Sequence, residues 1–155
     1  MIAIGGEVDA VFFQSSTPEE IAMNYQSLVQ LPLMVPYWSL GWHQCRWGYK
    51  ALEDVKYVLG NYTEHGFPLD TIWNDIDYMQ DYRDFTYDSK RYNGLDNFVK
   101  NDVHGTHRHY VPIMDAGVAA RTYSTFGAGV YDSYQKGLDQ DAFIRDYTNE
   151  RAMIG

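Results

Sequence analysis

The sequence predicts an α/β fold built on a parallel sheet, and three observations carry that expectation. Short apolar runs alternate with stretches whose apolar residues recur at helical spacing, in the order strand, helix, strand, helix, strand. The runs read as buried on both faces, as the strands of a parallel sheet are. Polar residues gather directly after each run: His43 to Tyr49, Asp75 to Asp84, and Asp115 onward. In sheets and barrels of this class the functional site lies at the carboxyl ends of the strands.

Residues 7–13 alternate loosely through Val8, Ala10 and Phe12 and predict a short strand ahead of the sheet. Thr17-Pro18-Glu19-Glu20 is a helix start. Thr17 can cap, Pro18 suits the first helical position, and Glu20 completes a capping box. Ile21, Tyr25, Leu28 and Val29 then share one helical face, and Pro32 and Pro36 stop it. Tyr37 to His43 reads as a buried strand with Gly41 inside it. Leu52, Val55, Leu59 and Tyr62 define the next helix, with Gly66 as a left-handed cap.

Leu69 to Asn74 is the following strand, and it stops in two carboxylates, Asp75 and Asp77. Tyr78 to Asn93 reads as a long polar-aromatic loop. Leu95, Phe98, Val99 and Val103 form a shorter helical face closed by Gly105. His109 to Met114 is the third strand of the sheet, although Pro112 cannot donate to a ladder. Residues 117–137 show no period, and 143–155 are weakly patterned.

Composition removes several function classes. With 155 residues, 45% hydrophobic and 21% charged, the chain is globular and large enough for one core. A formal net charge of −9 argues against a nucleic-acid partner, which needs a basic stripe. The single Cys45 excludes an internal disulfide and any Cys-based zinc site. The apolar stretches are too short to span a bilayer, and the first residues lack the flank of a signal peptide. Asn61-Tyr62-Thr63 is a glycosylation sequon, used only on entry to the secretory path.

Three constellations could carry chemistry. Asp75 and Asp77 suit a hydroxylated ligand or a hard cation, and equally a solvated loop. His104, His107 and His109 have zinc-like spacing but fall at the amino end of a strand, where core or turn roles are more usual. Trp42 and Trp47 beside Cys45-Arg46 could stack on the C–H face of a sugar, whereas Trp38 reads as core. Gly5-Gly6 and Gly127-Ala128-Gly129 lack the strand-to-helix setting of a phosphate cradle, and no G-x-S-x-G elbow occurs.

Three blocks carry a family resemblance. Tyr37-Trp38-Ser39-Leu40-Gly41-Trp42-His43-Gln44-Cys45-Arg46-Trp47-Gly48-Tyr49 resembles the first-strand signature of glycoside hydrolase family 31, the α-glucosidase family. Pro68-Leu69-Asp70, Trp73-Asn74-Asp75-Ile76-Asp77-Tyr78-Met79 and Asp84-Phe85-Thr86 are similar to its second-strand block. Tyr110-Val111-Pro112-Ile113-Met114-Asp115 resembles the third. Ala116 stands where that family often has proline, and Pro112 is a second departure.

The resemblance implies a partial (β/α)8 barrel comprising the first three strands. Residues 1–16 would end a preceding β-sandwich domain, and 17–155 would begin the catalytic barrel. It implies retaining hydrolysis of terminal α-linked glucose from an α-glucoside or malto-oligosaccharide. No metal or organic cofactor is expected, and a secretory, lysosomal or extracellular setting is.

Carried over by position, Asp75 would accept hydroxyl hydrogen bonds from the terminal glucose. Ile76 and Ile113 would line the same pocket, and Trp47 would form its aromatic wall. The family's catalytic carboxylates come from later strands, in a W-x-D-M-N-E type segment that does not occur here, so no catalytic residue is assigned. The expectation is therefore a fragment, inactive alone, that needs the rest of the barrel. Two other readings stay open: a sugar-binding relative without hydrolysis, and a D-x-D metal-dependent glycosyltransferase.

Overall fold

The computed structural model describes residues 6–120, 130–146, 148, 152 and 153. The chain divides into two units, Met1–Val35 and Pro36–Gly155.

In the first unit, helix α1 spans Pro18–Val29. The Thr17 hydroxyl accepts the Glu20 amide at 3.2 Å, and Pro18 occupies the opening turn. Glu20 returns a bond to the amide of Ser16 at 2.9 Å rather than to that of Thr17, so the capping box is shifted by one residue. The helix ends at Gln30, with φ of 70°, two residues before Pro32. No residue of α1 is buried. The strand expected over residues 7–13 is not formed: the backbone is irregular there. Alternation alone cannot hold a strand whose N–H and C=O groups find no ladder partner among the described residues.

The second unit is built on a parallel three-stranded sheet: β1 (His43–Gln44), β2 (Thr71–Asn74) and β3 (His109–Pro112), in that order. Register runs His43 to Thr71 across the first pair, and Thr71 to His109 through Asn74 to Pro112 across the second. The objection raised by Pro112 dissolves in this register. His109 donates to Asp70, just before β2, and Ile113 to Asn74 on it, so the alternating position, Pro112, turns its nitrogen away from β2. Among the described strands β3 is an outer one, where proline is tolerated.

The strand expected over Tyr37 to His43 shrinks to its last residue plus Gln44. Tyr37–Leu40 is a 3-10 turn, because the carbonyl of Pro36 accepts both the amide and the hydroxyl of Ser39. Gly41 then lies against Asp70, where a Cβ would come within 2.2 Å of the carboxylate. That close approach lets the Trp42 amide donate to Asp70 Oδ2 at 2.9 Å.

Helix α2 covers Leu52–Glu64 and buries Leu52, Val55 and Leu59, the face its sequence predicts. Asp54 accepts the Ala51 amide at 3.1 Å and so anchors the amino end. At the other end Gly66 has φ of 67°, its amide donates to Thr63, and the Phe67 amide donates to Tyr62, a Schellman closure. Helix α3 (Leu95–Asn97) continues as a wider π-helical segment, Phe98–Val103. Its stop is His107, with φ of 60°, and not Gly105: the amides of His107 and Arg108 return to His104 and Val103. Helix α4 (Asp132–Asp139) falls in a stretch whose sequence shows no period, and residues 121–129 of that stretch lie outside the described residues.

Within the second unit one core joins α2, the sheet, the π-helical segment and the loops between them. Leu52, Val55 and Leu59 of α2 pack with Ile72 of β2, with Phe98 and Val103, and with Tyr49, Tyr78, Met79 and Tyr92 from the loops. At the strands, Trp38 stacks on His109 with ring centres 4.1 Å apart, and Trp73 Nε1 donates to His43 Nδ1 at 2.9 Å. Trp38 is thus half-buried and packed, as its sequence setting suggests.

Candidate functional site

The carboxyl ends of the three strands carry the candidate site. β2 stops at Asn74, and Asp75 caps the 3-10 turn Ile76–Tyr78 that follows. Asp75 Oδ1 accepts the Ile76 amide at 2.7 Å, which fixes the side chain at the strand end. Its Oδ2 faces the Cys45 thiol at 4.0 Å. Burial, then the charge of Asp75, push the Cys45 thiol up, against a smaller lowering by the Arg46 backbone. The thiol therefore stays protonated near neutral pH and acts as a weak donor. Asp75 is half-buried: it is held in place with acceptor capacity to spare.

Asp77 has a different role. It is only 2% exposed, and its Oδ2 accepts the amide of Gly48 at 2.7 Å across 29 residues of sequence. Gly48 has φ of 122°, a conformation that excludes a side chain there. The two carboxylates thus serve separate partners and do not form a chelating pair. Among the described residues no group of three or more metal-ligating side chains is gathered. His104 and His107 lie in the turn that ends the π-helical segment, and His109 stacks on Trp38.

Trp47 sits in the loop after β1, immediately before the glycine that Asp77 holds, and is 69% exposed. Ile76 and Ile113 are half-buried and lean on the core at the ends of β2 and β3. Ile113 is fixed twice: its amide donates to Asn74, and its carbonyl accepts the Tyr78 hydroxyl at 2.9 Å. Trp47, Asp75, Ile76 and Ile113 therefore follow adjacent parallel strands on one rim.

Beneath that rim runs a polar network that single-residue reading misses. The Tyr92 hydroxyl donates to the carbonyl of Tyr49 and accepts from Asn74 Nδ2 at 3.3 Å. The Tyr110 hydroxyl donates to Asn74 Oδ1 at 2.8 Å. A second line runs from Trp42 Nε1 to Tyr62, from Tyr62 to Gln44 Oε1, and from Gln44 Nε2 to Tyr49. Burial pushes the phenols of Tyr92 and Tyr110 well up, helped by Asp77 beside Tyr92 and by Tyr78 beside Tyr110. Further out, Arg83 lies over the Tyr131 ring at 5.0 Å, and the Tyr131 hydroxyl donates to the Asp84 carbonyl at 2.8 Å. Signals for these contacts exist only as an excess of tyrosine, 14 in all.

Two hollows lie elsewhere among the described residues. One of about 630 Å³ is lined by Tyr87, Asn93, Lys100 and Tyr110, and one of about 660 Å³ lies between α2 and the π-helical segment. A rim of three strands is a ledge rather than an enclosed cleft.

Known proteins resemble this chain along most of its length. The glycosyl hydrolases family 31 TIM-barrel domain matches residues 32–154. Glucoamylase 1 of Schwanniomyces occidentalis is 40% identical over 146 residues, covering 93% of this chain and 15% of its own length. Human intestinal sucrase-isomaltase is 39% identical over 151 residues, covering 97% of this chain and 8% of its own. Among solved structures, the glucosidase II alpha subunit in its DNJ-bound form superposes with a TM-score of 0.75 at 28% identity, over 88% of this chain and 14% of that one. The chain thus spans a small part of each relative.

Proposed function

The chain belongs to glycosyl hydrolase family 31, and from that membership we propose that its rim holds the terminal glucose of an α-linked oligosaccharide for retaining hydrolysis. The placement of Asp75 carries the reading: a half-buried carboxylate at the end of a central strand, anchored through one oxygen by the Ile76 amide and met at the other only by the weak Cys45 thiol donor. Two-point acceptance by a carboxylate orients vicinal sugar hydroxyls, and charge-assisted bonds are the stronger kind. Trp47 offers an exposed apolar ring to the C–H face of the same residue. Ile76 and Ile113 shed water from the floor, which strengthens the polar contacts around them. The relatives' names, glucoamylase and α-glucosidase, favour glucose in α-linkage as the group held.

Retaining hydrolysis needs a nucleophilic carboxylate and an acid/base carboxylate about 5–5.5 Å apart. In this reading neither is among the residues named here. A barrel closes with eight strands, and the described residues form three in this sheet, so in this reading the catalytic pair belongs to the strands that complete the barrel. Asp75 then works by binding: it grips the chain end and sets the anomeric carbon before the missing pair.

The test uses the completed barrel carrying these residues, given chromogenic α- and β-glucosides while the released anomer is followed by NMR. Turnover of the α-glucoside alone, with α-glucose appearing first, is expected. Release of β-glucose first, or no turnover by a folded protein, contradicts the reading.

A further inference from the structure

The geometry assigns Asp77 and Tyr78, adjacent in the turn after β2, as positioning residues that hold the two walls flanking Asp75. The inference rests on the proposed function for its kinetic consequence, and on contacts for its substance. Asp77 reaches back to the loop after β1 and grips the Gly48 amide at 2.7 Å. Tyr78 reaches forward to the end of β3 and donates to the Ile113 carbonyl at 2.9 Å. One turn of three residues, Ile76–Tyr78, thus ties together both neighbours of the strand that carries Asp75.

The contacts differ from ordinary loop bonds in three ways. They span 29 and 35 residues of sequence, so neither stabilises its own turn. Both side chains are buried. A buried carboxylate is a costly choice for tying down a loop unless the loop's position matters, since a buried charge loses its hydration and regains it only through well-placed donors. The amide that Asp77 accepts belongs to the residue following Trp47, a glycine at positive φ that no other residue would adopt without strain. The exposed ring of Trp47 has no core packing to aim it; the grip on Gly48 does so instead. Asp77 therefore acts on substrate through Trp47, while Tyr78 acts through Ile113.

A mutant cycle in the completed barrel tests this. Asp77→Ala is expected to raise KM for an α-glucoside about 10-fold, with a smaller fall in kcat, and Asp77→Asn to restore part of the loss as a neutral acceptor. Asp77→Asn combined with Trp47→Ala should bind no more weakly than Trp47→Ala alone, because the clamp acts through that ring. Tyr78→Phe, which frees the other wall, should multiply with Trp47→Ala. Multiplying effects of Asp77 and Trp47 overturn the assignment. A second measurement needs no turnover: in Asp77→Asn the amides of residues 45–49 should exchange hydrogen faster while the amides of α2 do not. Unchanged exchange in that loop overturns the assignment whatever the enzyme does. Absence of turnover in the parent protein, with the exchange result as expected, defeats the proposed function and leaves the clamp standing.

Discussion

The two rims of the sheet use their polar groups differently. At the carboxyl ends, side chains reach across strands: Cys45 to Asp75, Gly48 to Asp77, Tyr78 to Ile113. At the amino ends, helices α2 and the π-helical segment close with backbone bonds of a few residues' reach, at Gly66 and His107, and the longer bonds found there, Trp42 to Asp70 and to Tyr62, join residues that enter the strands or end α2 rather than the loops that follow the strands. Trp42, Tyr62, Phe67 and Pro68 there leave an apolar hollow of about 410 Å³. Local closures terminate a helix and position nothing beyond it. Long-range side-chain bonds fix one loop relative to another, which is what a binding site requires.

Substitutions can break or sharpen this contrast. The largest effect is expected at Asp75: Asp75→Asn in the completed barrel should cost about 2–4 kcal/mol of transition-state binding, or roughly 30- to 1,000-fold in kcat/KM. Phe67→Ala at the opposite rim, where the ring is 64% exposed, should leave kcat/KM within about 2-fold. Equal losses at the two positions would erase the distinction.

Stability should follow the network beneath the carboxyl rim. Tyr92→Phe removes the donor to the Tyr49 carbonyl and the acceptor for Asn74, at a cost of about 1–3 kcal/mol by urea unfolding. The same phenols set an alkaline limit. Burial raises Tyr78, Tyr92 and Tyr110 above the ordinary value of 10.0, so the folded state keeps protons that the unfolded state releases. Their contribution is fully present below pH 10 and is lost as pH rises from there through the raised values. Unfolding midpoints measured across that range should fall steeply, and less steeply in Tyr92→Phe. The smallest effect lies at the amino rim: His107→Gly relieves a left-handed residue and should stabilise by up to about 1 kcal/mol without changing kcat/KM.

The sequence made part of this legible. Thr17-Pro18 and Gly66 announce helix ends because capping is local chemistry, and both are found where the residues put them. The run from Tyr37 to His43 misleads because its apolar residues do not reveal that Pro36 draws Ser39 into a turn. The stop at His107 is hidden as well: a glycine two residues earlier is the better left-handed residue, yet the bonds from the His107 and Arg108 amides to His104 and Val103 close the helix beyond it. At the site, the three motif blocks singled out Trp47, Asp75, Ile76 and Ile113, and all four follow the ends of adjacent strands. Asp77 as a grip on Gly48, and Tyr92 as a bolt to Tyr49, join residues 29 and 43 apart. No periodicity or spacing encodes such pairs.

If Asp75 grips hydroxyls of a terminal glucose, a functional-group cycle reveals it. Parent protein and Asp75→Asn, both as completed barrels, are assayed against an α-glucoside and each of its mono-deoxy analogues. Removing a gripped hydroxyl should cost the parent dearly and Asp75→Asn little, so that the two losses do not add. Losses that add for every hydroxyl would contradict it.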